Sequence, residues 1–486
     1  MGSLDLRSVP GQDWKQLDVP ALGSWQPDLR VGVVVPARDC QEELDRTLAA
    51  LAEQSYPVEL TEVVVVDDGS SPPLRLGDRR PAATTLVRIE QEESHGSGRA
   101  RHVGSTRTEA DVLLFLDADM VADRFHVEAH ARWHHLTPHA VVLGRKWFVD
   151  FTGLGPQDVG EATAGAGLET LLEGREREGH GWQEEFIRGR EELTTDSEDC
   201  FLAVVGATVS LRQDLYQRTG GFASLGLRGI VDTEFGYRAF TSGGLLVPDG
   251  QALAYHQGSR SFTSHGNQIK RERTGLAANY LPTGLFRPGN TGRRWAVPMA
   301  VVVVDAEGSQ WEEVQFTADS VLASDFTDLV VSIVVGDTEP PPWLLDYFGQ
   351  DDRVRFCAQP PTSAYPSPLS MTLSPGLLLR TGTVSQMTRV LEKHRAGVVR
   401  THPGDLDGRV LEVWRTRALL RAMTEGPQGL EERAATLFGE CWVSARALGV
   451  TTGRFGITRQ GMIVAKHGPL RSKAPQLEEA GTSAQE

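Results

Sequence analysis

The sequence predicts an α/β protein on a Rossmann-like mixed sheet flanked by helices, and three observations predict it. First, Val31-Gly32-Val33-Val34-Val35, Val63-Val64-Val65-Val66 and Val112-Leu113-Leu114-Phe115-Leu116 have the unbroken hydrophobicity of strands buried on both faces. Second, helical spacing lies between them, clearest from Glu42 to Ser55, where Leu44, Leu48, Leu51 and Ala52 recur on one face. Third, strands end in acids, Asp67-Asp68 and Asp117-Ala118-Asp119, at the carboxyl ends where open α/β sheets bind ligands.

The 486 residues exceed one ordinary core, so two domains are expected. A formal charge of −16 without a long basic run argues against nucleic acid or an anionic membrane as the main partner. The apolar runs stop well short of the roughly 20 residues a membrane helix needs. The first residues lack the basic and apolar regions of a secretory signal, so a soluble, cytoplasmic protein is expected. Cys40, Cys200, Cys357 and Cys441 form no C-x-x-C pair and suggest neither a zinc site nor a disulfide framework.

In chain order, residues 1–30, with Pro10, Pro20, Pro27, Trp14 and Trp25, predict an irregular arm lying on a domain. The first strand is expected to break at Pro36, because proline cannot continue a central strand. Leu86 to Ile89 predicts a third strand, and Gly96-Ser97-Gly98 opens a helix through Arg101. That glycine pair is neither a G-x-G-x-x-G nor a Walker loop, which disfavours dinucleotide binding and P-loop hydrolysis. Asp117 and Asp119, two apart on an extended segment, point the same way. Their hard oxygens suit Mg²⁺ or Mn²⁺, which typically also takes substrate phosphates. Asp67, at a strand end, is placed to read a ribose or base, although Asp-Gly-Ser also favours a turn without any ligand.

These stretches carry a resemblance. Val31–Arg38, Val63–Ser71, Gly98–His102 and Leu113–Met120 are similar to successive motifs of family 2 glycosyltransferases with the GT-A fold. Val205–Leu211, Gly220-Gly221-Phe222 and Val231–Arg238 extend the resemblance in order over about residues 31–262, within an expected GT-A domain at 31–285. It implies that Pro36, Ala37, Arg38 and Asp39 line the nucleoside pocket and that Asp67 binds base or ribose. Arg101, Asp117 and Ala118 join the nucleotide-sugar site. Asp117, Asp119 and His256 hold a divalent metal, and Asp232 is the general base of an inverting displacement. This chain has Asp39 and His102 where the family commonly has Asn, and Val231 in place of the first acid of an E-D pair. An Asp at position 232 could instead cap the helix that follows, and a lone histidine such as His256 is more often structural. Gly258 to Arg273, which mixes Arg260, His265, Lys270, Arg271 and Arg273 with glycine and serine, predicts a mobile loop able to close on a diphosphate, or a basic solvated one. The composition changes between Phe151 and Ser197, where Leu168, Leu171 and Leu172 suggest a short helix. In this fold class such an insertion lies beside the acceptor site.

Residues 286–298 predict a linker, 299–465 a second, smaller α/β domain with C-terminal helices, and 466–486 a disordered tail. Val301–Asp305 and Leu329–Asp337 repeat the rhythm of the first half. Leu377–Val384 matches Leu113–Met120 at a constant offset of 264, putting Thr381 and Thr383 where Asp117 and Asp119 stand. A degenerate GT-A-like domain without metal acids is therefore expected, unless two α/β segments merely share a rhythm. Helical stretches from Asp407 to Leu448 are expected to close its core or to form a subunit contact.

The function expected is metal-assisted transfer of a sugar from a nucleotide-sugar, UDP-sugar by family frequency, to a glycan, peptide, lipid-linked or small-molecule acceptor. The alternatives are a catalytically inactive nucleotide-sugar-binding or scaffold protein and a nucleotidyltransferase. The latter would want a glycine-rich basic signature after its first strand, which Pro36-Ala37-Arg38-Asp39 is not.

Overall fold

The structure, a computed structural model, describes residues 8–94, 96–225, 230–258, 266–289, 292–457 and 463–466. The chain divides into two compact units, residues 1–287 with 416–438 and residues 288–415 with 439–486. Residues 259–265 of the stretch expected to be a loop closing over a diphosphate, and the polar end, 467–486, lie outside the described residues, while residues 266–273 of that stretch are helical, which corrects the loop expectation there. Among the described residues no helix is long and apolar enough to cross a membrane.

The first unit runs β1 (Val31–Ala37), α1 (Gln41–Leu51), β2 (Thr61–Asp68), β3 (Thr84–Ile89), α2 (Ser97–Ser105), β4 (Val112–Leu116), β5 (Met120–Ala122), α3 (His126–His134) and β6 (Ala140–Val149). It continues through α4 (Pro156–Ala164), α5 (Leu168–Leu171), β7 (Arg177–Gly179), α6 (Gly181–Arg188), β8 (Thr208–Arg212), α7 (Gln213–Thr219), α8 (Val231–Thr241), β9 (Leu245–Gln257) and α9 (Gly266–Tyr280). The insertion before Ser197 holds three helices, where leucine spacing predicts one.

The sheet order is β3-β2-β1-β4-β8-β6-β9-β5, with β7 added on β6. The first four strands are parallel, β8 is antiparallel to both β4 and β6, and β9 is parallel to β6. The expected break at Pro36 does not occur: β1 continues in register with β2 to Ala37↔Asp67. The ladder to β4 ends earlier, at Val34↔Phe115, so Pro36 is paired on one side alone. Odd residues of β1 (Val31, Val33, Val35) pack with Leu44, Leu48 and Leu51 of α1. The other face, Val34 with Leu113 and Phe115, packs with Phe222 and Phe235. The N-terminal arm is bound to this unit, Gln12 donating to Leu246 O and the Trp25 indole to Glu128 Oε1.

Helix α3 docks on β8 through a buried relay that sequence reading missed. The His126 Nδ1 faces Leu253 O at 2.9 Å, and a carbonyl can accept but not donate, so Nδ1 carries the proton. Its Nε2 therefore accepts from Thr208 Oγ1 (3.1 Å), and Thr208 accepts from His130 Nε2 (3.0 Å). Ser210 Oγ then donates to His130 Nδ1 (2.9 Å) and accepts from His134 Nε2 (2.8 Å). One carbonyl thus sets the tautomers of three neutral imidazoles, and the relay ties α3 to β8.

The second unit has β10 (Ala300–Asp305), α10 (Trp311–Leu322), β11 (Leu329–Val334), α11 (Pro342–Phe348), β12 (Val354–Cys357), β13 (Leu369–Leu373), β14 (Leu377–Leu378), α12 (Thr383–His394), β15 (Val398–Thr401) and β16 (Leu411–Arg415). Next come α13 (Thr416–Ala422) and α14 (Leu430–Phe438), which belong to the first unit; the chain then re-enters the second at β17 (Glu440–Val443) and α15 (Ala445–Leu448). The continuous second domain expected at 299–465 is corrected accordingly. The pairing drawn at offset 264 is corrected as well. Leu377-Leu378 is a short strand paired with Thr451-Thr452, and the strand beside β10 is β13. Matching leucines drew the alignment to Leu377, whereas β13, Leu-Ser-Met-Thr-Leu, alternates and carries no leucine run.

Candidate active site

The parallel strands deliver three turns to one end of the sheet. After β1, Asp39 takes φ +50°, a left-handed conformation that aspartate tolerates better than most residues. Its N–H donates to Ser70 Oγ and its Oδ1 accepts from Ser71 N–H, both at 2.9 Å, joining the turn after β1 to the turn after β2. Pro36 and Ala37 are buried, and Arg38 stands at the rim, donating to Ser94 Oγ at 2.9 Å.

Asp67 is 1% exposed, and its carboxylate is turned inward. Oδ1 accepts from Ser70 N–H (2.9 Å), while Oδ2 accepts from Leu74 N–H (3.1 Å) and Arg88 Nη1 (2.7 Å). Burial alone would raise its pKa, but the bonds to Ser70 and Leu74 and the Arg88 charge outweigh burial and hold it below the usual range. The turn-forming alternative weighed for Asp-Gly-Ser is what this geometry exhibits.

At the next strand end Arg101, reaching from α2, lies between two acids. Nη2 donates to Asp117 Oδ1 at 2.6 Å and Nη1 to Asp232 Oδ1 at 3.0 Å. The guanidinium is 3% exposed and its Cζ lies 5.1 Å from the centre of the Phe222 ring. Arg101 is thus a brace between the two acids. Asp232 is not the helix cap: Ile230 holds that place, and Asp232 sits in the first turn of α8 with its carboxylate on Arg101. Burial and the neighbouring Asp119 and Asp232 raise the Asp117 pKa, with Arg101 opposing them.

Asp119 and His256 are brought together by the pairing of β5 with β9, in which Met120 faces His256. Asp119 Oδ2 lies 3.2 Å from His256 Nε2, and the imidazole packs on Phe148 at 4.7 Å between ring centres. Burial pulls the His256 pKa down, but Asp119 and then Asp117 outweigh it and hold it up. Asp119 Oδ1 is buried and has no hydrogen-bond partner among the described residues. An orphaned carboxylate oxygen beside an imidazole is a donor set that a divalent cation satisfies. Asp117 is drawn to Arg101 instead, and among the described residues no three His, Cys, Asp or Glu side chains could hold a metal ion together.

Two further residues that shape the site are legible once the fold is known. Ala207 O accepts the Asp117 N–H at 3.0 Å. A Cβ on Gly206 would come within 2.6 Å of Arg101 Cζ, so glycine is required for the brace to fit.

Residues 32–160 match the family model described as Glycosyl transferase family 2. The chain is 29% identical over 120 residues to the uncharacterized glycosyltransferase YfnE of Bacillus subtilis, covering 24% of this chain and 30% of that one. It is 34% identical over 117 residues to the validoxylamine A glucosyltransferase of Streptomyces hygroscopicus subsp. jinggangensis, covering 24% and 28%. The chain therefore spans less than a third of the length of these curated relatives. Among solved structures it is similar to the mannosyltransferase PcManGT of Pyrobaculum calidifontis in complex with GDP-Man and Mn²⁺, with a TM-score of 0.35, 18% identity and coverage of 55% and 66%. The matched residues 32–160 contain the turns at Pro36–Asp39 and Asp67, the Arg101 helix and Asp117-Ala118-Asp119, and over that stretch the chain is similar to glycosyl transferase family 2.

Proposed function

We propose that the first unit transfers a sugar, with inversion, from a nucleotide-sugar, UDP-sugar first, to an acceptor hydroxyl, with Asp232 as general base. The observation that carries this reading is the row Asp119–Asp117–Arg101–Asp232 at the ends of β4 and α8. Arg101 occupies Asp232 Oδ1, and Oδ2 is the oxygen that takes the proton. About a third of the Asp232 side chain is exposed, which leaves an acceptor room to approach. As the acceptor O–H loses its proton to Asp232, its oxygen bonds to the anomeric carbon on the face opposite the leaving nucleoside diphosphate. The bond from that carbon to the phosphate oxygen breaks, and the diphosphate leaves with the electron pair.

Asp119 and His256, with Asp117 alongside, are the residues that would hold Mn²⁺ or Mg²⁺, and a bound dication would offset charge on the diphosphate. Pro36, Ala37, Arg38 and Asp39 line the nucleoside side, with Asp67 holding their turn in place. The test is calorimetric titration of UDP, GDP and dTDP, with and without Mn²⁺, into wild type and Asp119→Ala. Mn²⁺-dependent binding of one nucleotide, lost in the variant, is expected. Absence of binding by all three would overturn the transferase reading and leave a scaffold.

A further inference from the structure

The sheet of the second unit repeats seven of the nine strands of the first, all but β5 and β7. Its sheet order, β12-β11-β10-β13-β16-β15-β17, corresponds one to one with β3-β2-β1-β4-β8-β6-β9. The directions agree too: β10, β11, β12 and β13 are parallel, β16 is antiparallel to β13 and β15, and β17 is parallel to β15. The central registers also correspond, Val31↔Thr61 and Val31↔Val112 against Ala300↔Leu329 and Ala300↔Leu369. Seven strands agreeing in order and direction go well beyond a shared α/β rhythm.

This register puts Ser374, Pro375 and Gly376, which follow β13, in the places of Asp117, Ala118 and Asp119, which follow β4. Between β12 and β13 no helix stands where α2 presents Arg101. Neither a metal carboxylate nor the arginine brace has a counterpart.

The helices tell where the repeat still acts. In the first unit β8 runs directly into α7, and α8 leads into β9. In the second repeat β16 runs directly into α13, and α14 leads into β17, so α13–α14 are the counterparts of α7–α8. Yet α13–α14 belong to the first unit, where they grip the end of α8. Arg421, 0% exposed, donates to Gly243 O (2.8 Å) and Gly244 O (2.9 Å) in the turn after α8, and to Gly11 O in the N-terminal arm. Arg417 lies 4.0 Å over the Phe240 ring of α8 and pairs with Asp196. A fully buried guanidinium met by carbonyls alone is costly to keep unless those carbonyls would otherwise be orphaned.

We infer that the second half is a chemically emptied copy of the first, whose α13–α14 hairpin buttresses α8, with Arg421 and Arg417 as positioning residues for Asp232. The assignment to Asp232 rests on the transferase reading; the buttress itself does not. Arg421→Met, made in the full chain, is followed by hydrogen exchange and by kinetics. Expected are exchange of the 231–241 peptide faster by about tenfold or more, unchanged exchange in 31–37 and 112–116, and kcat lower by about tenfold at unchanged donor KM. Arg421→Lys, which keeps a donor, should be intermediate, and it serves as the test variant if the Met form does not fold. Unaltered exchange of 231–241 in the variant overturns the buttress, whatever the enzyme's activity. Two nucleotides bound per chain in calorimetry, instead of one, overturn the emptied copy. Wild type that binds no nucleotide while exchange still rises in the variant overturns the link to Asp232 alone.

Discussion

Asp67→Asn separates a residue that organises the site from one that touches the ligand. The carboxylate accepts three hydrogen bonds, two from main-chain N–H groups and one from Arg88. Asparagine offers one oxygen in place of two and turns an NH₂ toward donors. If Oδ1 keeps Ser70 N–H, the amide nitrogen faces both Leu74 N–H and Arg88. Hydrogen bonds to charged groups contribute roughly 1.5–3 kcal/mol each. Arg88 is about a third exposed, so its share is discounted for solvent screening. A loss of about 2–4 kcal/mol follows for the buried turn. At about 2 °C per kcal/mol for a unit of this size, Tm should fall by roughly 4–8 °C. The pH dependence has a definite sign. The folded pKa lies below the unfolded value of about 3.9, so the stabilisation is complete above that value and fades as pH falls through the folded one. Scanning calorimetry of both proteins at neutral pH and near pH 3 measures this, with the gap in Tm wide in the first and narrowed in the second. Equal Tm values at neutral pH, with nucleotide binding alone weakened, would refute the reasoning and make Asp67 a ligand.

Two other perturbations probe the brace and the relay. Gly206→Ala drives a methyl into Arg101, which is pinned between Asp117 and Asp232 and cannot retreat. Transferase kcat should drop by about a hundredfold with the fold retained by circular dichroism, and a change within about threefold would count against the brace. Burial drives the His126 pKa down to about 4 and those of His130 and His134 well below the ordinary value, with His126 and His134 further lowering His130. Because the unfolded chain takes up these protons near pH 6.5 and the folded chain does not, stability falls as pH drops from about 6.5 toward 4, by up to about 1.4 kcal/mol per pH unit for each histidine. Denaturant titrations across that range measure the slope. Nitrogen NMR should find His126 protonated at Nδ1 and His130 and His134 at Nε2; the opposite tautomer at His126 would sink the relay.

Much of the first unit was legible in the chain itself. Runs such as Val63–Val66 and Val112–Leu116 can satisfy their hydrophobicity on both faces in one kind of place, a central strand, and the acids ending them necessarily reach one edge of the sheet. Periodicity therefore determined the strands, the turns and the candidates Asp67, Asp117 and Asp119. Pairings between distant segments were decided by tertiary structure. Arg101 lies 131 residues from Asp232, and no local pattern announces that one guanidinium will be clamped between Asp232 and Asp117. Nor could spacing tell that Asp67 faces inward, because an aspartate in a turn is equally stable facing a ligand or its own main chain until Arg88 arrives from β3. The second half shows the same division. Its strand rhythm is visible in sequence, but leucine matching chose the wrong register, since similarity of side chains records burial and not partner. That α13–α14 belong with the first unit depends on where buried guanidiniums find carbonyl oxygens, and those oxygens come from residues 11, 243 and 244, brought together by the folded chain alone.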